Sequence, residues 1–219
     1  MLVPAPIAAQ RPDGAVPITA EPDHKIRFDN GKVRMYEVIL PSGAVTLAHE
    51  HSADNFTIFF RTAEITLEPL PGTPRVLQVV PGFVGYTSTA EGPYSHRVTV
   101  SGETTFHVIA MELMSPAPAG PATAARRAGS AFTVALENPR GRAYSITLAP
   151  GESTEAFNRP AGTALFAISS GRISELAAGQ QARLWDFEPA HFRWFEHGET
   201  LSIKNEGAAP VELVAIEVF

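Results

Sequence analysis

The chain has 219 residues, 44% hydrophobic and 18% charged, an ordinary globular composition long enough for one large domain or two modest ones. Seventeen Lys and Arg against 23 Asp and Glu give a net charge of −6. No basic cluster interrupts that balance, which argues against nucleic acid or an anionic membrane surface as partner. No cysteine is present, so disulfides, thiolate zinc sites and cysteine nucleophiles are excluded, and any metal must be held by His, Asp, Glu or water.

Taken in order, residues 1–23 are proline-rich with little periodicity and read as an extended or disordered arm. Their start, Leu2 to Gln10, is small and apolar and ends in Ala-Ala-Gln. It resembles the tail of a trimmed secretory signal, which would put the protein in the periplasm or outside the cell. A flexible N-terminus on a cytoplasmic protein is the other reading. No run of about 18 apolar residues follows, so nothing is expected to span a membrane. From Lys25 the pattern changes to short β-type runs. Val33–Leu40 leads into the turn Pro41-Ser42-Gly43, followed by Asn55–Phe60, Val76–Val80 and Thr104–Met111. Short strands between Gly/Pro turns, without helical periodicity, predict a sandwich or barrel.

Ser115–Ser130 is rich in Pro, Ala and Gly and reads as an interdomain linker, with room for a short helix over Ala122–Arg127. Beyond it the chain repeats. Val33–Gly43 matches Gly141–Gly151 at a shift of 108, and Ser101–Glu112 matches Glu206–Glu217 at a shift of 105. The organisation expected is an arm (1–23), a domain (24–114), the linker (115–130) and a second copy of the domain (131–219).

Chemistry concentrates at Gly43-Ala-Val-Thr-Leu-Ala-His49-Glu50-His51. In a strand, alternate residues share a face, so His49 and His51 point one way and Glu50 the other. Two imidazoles on one face are half of a metal site, and His96 is the candidate third ligand. In the second copy these positions become Phe157, Arg159 and Leu201, which bind no cation. One copy thus keeps all three histidines where the other has none.

Gly43 with His-x-His six residues on, and His96 six residues before Gly102, resembles the two motifs of the cupin superfamily. The resemblance covers roughly 31–113 and 140–219. It implies an all-β fold of two tandem double-stranded β-helix (jelly-roll) barrels, a bicupin, with a metal site in the N-terminal barrel only. Where cupins usually place a Glu ligand, four residues after His51, this chain has Asn55. The implied site is therefore three-His, as in cupins that resemble thiol and diketone dioxygenases. Asp54 would replace the Glu only if the strand register slipped.

By that resemblance the cofactor is a divalent metal, Fe(II) favoured and Zn, Ni or Mn open, and the partner is a small molecule that chelates it. The implied activity is that of an oxygenase, with an isomerase or hydrolase as variants and a noncatalytic binding protein as the rival. Two barrels in one chain are compatible with a monomer or a homodimer. Tyr94, two residues before His96, is the candidate catalytic residue beside the metal. Phe56, Phe59, Phe83, Tyr86 and Tyr94 itself are aromatics expected in the core, with Arg61 or Arg97 as partners for a substrate carboxylate or as solvated surface arginines. His107 is expected at the surface, His191 and His197 (with Glu196) are not expected to share a metal, and His24 carries no signal.

Overall fold

The computed structural model describes residues 14–116, 127 and 129–219. The Leu2–Gln10 segment lies outside the described residues, as does most of the expected linker with its short helix. The chain is all-β: among the described residues the only helix is a three-residue 3-10 turn at Ile18–Ala20. It separates into two compact units, one holding most of residues 14–114 and the other all of 129–219 together with Phe56–Arg61 and Val80–Gly85.

The first half runs β1 (Val16–Pro17), β2 (Lys25–Asp29), β3 (Val33–Leu40), β4 (His49–His51), β5 (Asn55–Phe59), β6 (Ala63–Leu70), β7 (Arg75–Val79), β8 (Val84–Thr87), β9 (Tyr94–Val100) and β10 (Phe106–Leu113). The second runs β11 (Phe132–Asn138), β12 (Gly141–Leu148), β13 (Phe157–Arg159), β14 (Thr163–Ala167), β15 (Gly171–Ala177), β16 (Arg183–Phe187), β17 (Phe192–Phe195), β18 (Glu199–Asn205) and β19 (Val211–Val218). One sheet of each half follows a common order, β2-β3-β10-β5-β8 and β11-β12-β19-β14-β17. The other reads β1-β4-β9-β6-β7 in the first half and β13-β18-β15-β16 in the second. Among the described residues only β1 has no counterpart.

The duplication extends to individual pairs. Antiparallel β3 and β10 align Val33 with Leu113 and Leu40 with Phe106, while β12 and β19 align Gly141 with Val218 and Leu148 with Val211. Those are the same pairs displaced by 108 and 105. The turns agree too. Gly43 and Gly151 both take a left-handed φ, +78° and +74°, which a residue without a Cβ adopts at no steric cost. Strands of alternating or continuous apolar character bury one or both faces. In the second unit the core is built on Tyr144, Ile146, Leu148, Phe157, Leu165, Trp185, Phe187, Leu201 and Leu213.

Residues 14–23 depart from the expected arm. Val16 pairs in parallel with His49, its amide donating to the Ala48 carbonyl at 2.9 Å, and Ile18 and Glu21 are buried. A buried apolar side chain and a satisfied carboxylate hold a segment whose prolines alone suggested none of this. Phe83 also departs from its expected core position and is 54% exposed, whereas Phe56 and Phe59 are buried.

Candidate metal centre

The cluster follows from one register. Strand β4 puts His49 and His51 on the same face, both buried. Its antiparallel neighbour β9 sets His96 opposite His49 and Tyr94 opposite His51. Sequence separation is thereby erased, and the ring centroids stand 4.4 Å (His49–His96), 5.0 Å (His51–His96) and 5.2 Å (His49–His51) apart. One nitrogen from each ring lies within 4.8 Å of the others, the only such group of potential metal ligands among the described residues.

The hydrogen bonding of these rings is incomplete in an instructive way. His49 Nδ1 lies 2.9 Å from the Leu47 carbonyl, which can only accept, so Nδ1 carries the proton and Nε2 keeps its lone pair. That Nε2 is buried without a partner, as are both nitrogens of His51 and Nδ1 of His96. Leaving buried polar atoms unmatched costs about 1–3 kcal/mol each. Clustered lone pairs in one interior spot fit a cation, and neutral imidazoles are the donors that divalent zinc, iron, nickel and manganese accept. Burial, reinforced by the repulsion a second proton on nearby His24 would exert, pushes His49 down to about 3 against the pull of the Leu47 hydrogen bond. Burial and then His49 lower His96 as well. Both rings are therefore neutral, and ready to ligate, at neutral pH.

Around the cluster stand groups that the sequence did not single out. Glu112 on β10 is buried, with an unpartnered Oε1 3.7 Å from His51 Nδ1. The buried hydroxyl of Tyr36 stands close to Glu112 and to Arg34. His24 packs its ring 4.4 Å from that of His49 and 6.5 Å from that of His51. Glu21 accepts from His24 Nδ1 at 2.6 Å and from the amides of Asp23, His24 and Leu47. Burial alone would raise the Glu21 carboxyl, but the His24 hydrogen bond and the backbone amides outweigh it and hold it at about 2.

The other candidates fall into place individually. The Tyr94 ring makes an edge contact with His96 at 5.0 Å, and burial raises its phenol pKa despite Arg75 nearby. Asp54 accepts from the Thr89 amide and hydroxyl, and so ties down a loop. Arg97 pairs with Glu68 at the surface, and Arg61 is exposed. His107 meets Glu37 at 3.0 Å, outside the cluster. His191 stops one residue short of β17, and neither it nor His197 joins a metal-ligand group.

In the second half the corresponding register sets Phe157 opposite Leu201 and Arg159 opposite Glu199. Arg159 is tied to Glu175 at 2.7 Å and Glu199 at 3.1 Å and lies 3.4 Å over the Phe195 ring. A second guanidinium, from Arg127, lies 4.6 Å over Phe157 and 5.1 Å over Tyr144, with Glu217 2.6 Å away. Phe157, Tyr144 and Glu217 are the repeat counterparts of His49, Tyr36 and Glu112. Where the first half gathers unpartnered imidazoles, the second holds a cation of its own.

No protein-family model matches the chain, and no curated protein does. Solved structures do. YhhW from Escherichia coli superposes with a TM-score of 0.62 at 12% identity, covering 90% of this chain and 89% of its own. Oxalate decarboxylase from Bacillus subtilis, described with Mn(II) centres, gives 0.55 at 12% identity, over 96% of this chain and 78% of its own. The fold is that of a bicupin. AerE from Microcystis aeruginosa also matches, with a TM-score of 0.61 at 8% identity over 86% of this chain and 88% of its own. At these identities the likeness establishes architecture alone. Within this bicupin the three-His cluster belongs to the N-terminal half.

Proposed function

We propose that the protein is a metal-dependent bicupin enzyme of the oxygenase type, acting on a small molecule that chelates a divalent metal held by His49, His51 and His96. The observation that carries the reading is the set of buried, unpartnered imidazole nitrogens, all within 4.8 Å of one another. Fe(II) is the favoured metal, with manganese, nickel and zinc sharing the same donor preference. When bound, it would supply a Lewis-acidic centre with positions open to substrate.

The protein's own groups then have defined tasks. The Leu47 carbonyl fixes the tautomer and orientation of His49. Glu112, whose Oε1 lies 3.7 Å from His51 Nδ1, is placed to accept a hydrogen bond from that ring N–H. Tyr94, against His96, presents a phenol whose raised pKa keeps it protonated and able to donate a hydrogen bond. The chelating group of the substrate is oxygen- or sulfur-bearing, the chemistry that completes an all-imidazole donor set.

The test is oxygen uptake by metal-free protein reloaded anaerobically with Fe(II) and offered diketones, thiols and phenols. Turnover on one class, abolished in His96→Ala, supports the reading. Stoichiometric metal without turnover on any class supports the noncatalytic alternative, a bicupin that captures a small ligand or the metal itself.

A further inference from the structure

We propose that His24 is a fourth metal-binding imidazole of the first unit, delivered by the N-terminal segment and aimed by Glu21. This deepens the metal-binding reading above and rests on it. The first observation is the hydrogen-bond pattern. Histidines that ligate metals commonly donate the other ring N–H to a carboxylate or a backbone carbonyl, which fixes the tautomer and makes the ligating nitrogen more basic. His49 has the carbonyl version, through Leu47. His24 has the carboxylate version: its Nδ1 donates to Glu21 at 2.6 Å, leaving Nε2 with a lone pair.

Glu21 is itself immobilised. It is buried and accepts three backbone amides, two beside His24 and one from Leu47, two residues ahead of His49 on the way into β4. One carboxylate thus ties the segment carrying His24 to the strand carrying His49. The His24 side chain is only 7% exposed, and its ring touches the His49 ring. Its nitrogen stands outside the set within 4.8 Å, so His24 completes the centre by closing on the ion rather than by preforming it.

The internal repeat gives an independent argument. Strands β2 and β3 align Ile26 with Tyr36, and β11 and β12 align Val134 with Tyr144, again a displacement of 108. The same displacement carries His24 onto Phe132. The ring contacts repeat as well: His24–Tyr36 at 6.1 Å and His24–His49 at 4.4 Å become Phe132–Tyr144 at 6.0 Å and Phe132–Phe157 at 4.9 Å. In the second unit these two aromatics face the Arg127 guanidinium, at 5.3 Å and 4.6 Å. His24 and His49 therefore hold equivalent seats around an interior cation, imidazoles in one unit and π-faces in the other.

The test uses the metal-free full-length protein and two probes, Co(II) titration followed by its visible d–d bands and pulsed EPR of the Cu(II)-loaded protein to count coupled imidazoles. His24→Phe copies the aromatic of the second unit. His24→Asn keeps a donor for Glu21 but removes the ligating nitrogen. The wild type is expected to show four imidazoles. Both variants are expected to show three and to bind Co(II) about 10–100-fold more weakly. His107→Ala, remote from the cluster, is expected to match the wild type in both. Three imidazoles in the wild type, or unchanged Co(II) affinity in both His24 variants, overturns the role of His24 and leaves the three-His reading standing. Failure of the wild type to take up Co(II) overturns both.

Discussion

A buried imidazole whose proton is already given to a carbonyl has a lone pair with nothing to meet, and His49 is in that position. The energetic consequence shows as pH dependence. Burial depresses the folded-state pKa of His49 from 6.5 to about 3, so on acidification the unfolded chain takes up its proton first. The stability that comes from keeping this ring neutral is complete above pH 6.5 and is lost as the pH falls toward 3. Glu21, held down at about 2 by His24 and backbone amides, works in the same direction between pH 4.5 and 2. The metal-free protein is therefore expected to lose on the order of 2–4 kcal/mol from His49 between pH 7 and pH 4. Thermal melts across that range check it. His49→Phe, the residue of the second half, should flatten the upper part of the decline, and a variant that declines as steeply as the wild type would contradict the assignment.

At the scale of elements, the pairing of β4 with β9 builds the site, and the turn at Gly43 leads into it. Alanine at φ +78° or +74° is strained, so Gly43→Ala and Gly151→Ala are each expected to cost about 1 kcal/mol, read from denaturant melts. Much of this layer was legible in the sequence. The matched turns, the shifts of 108 and 105 and the His-x-His with His96 need only alternation and repetition to be seen. His24 was not legible. Its counterpart is Phe132, the first residue of β11, whereas His24 lies just ahead of β2, and both strands carry a register shift, between Ile26 and Phe28 and between Val134 and Leu136, so the two segments share geometry but no residue pattern. Glu21 and Glu112 were hidden for a related reason. Isolated acidic residues usually face solvent, and only the packing shows that these two are buried. Arg127 lay in a Pro/Ala-rich stretch that reads as linker, although its side chain is buried beside Glu217.

Over the whole molecule, duplication has given two interiors of one design and opposite solutions to the same electrostatic problem. The first gathers imidazole donors and the buried carboxylates Glu21 and Glu112 around a place for a metal. The second supplies a guanidinium, paired with Glu217 and capped by aromatic faces. Removing one partner of a buried pair strands the other, so Arg127→Ala is expected to destabilise the protein by about 3 kcal/mol. Arg142, 3.9 Å from Glu217, moderates the loss. Metal uptake by the first half should be unchanged, and calorimetry with parallel Co(II) titration checks both.

Metal in one interior and not in the other is tested most directly by elemental analysis of protein purified without a histidine tag. One divalent metal per chain in the wild type, lost in His49→Ala and His96→Ala and retained in Arg127→Ala, is the predicted result. Absence of metal from the wild type after reconstitution with Fe(II), Mn(II), Ni(II) or Zn(II), or its retention in both histidine variants, would contradict it.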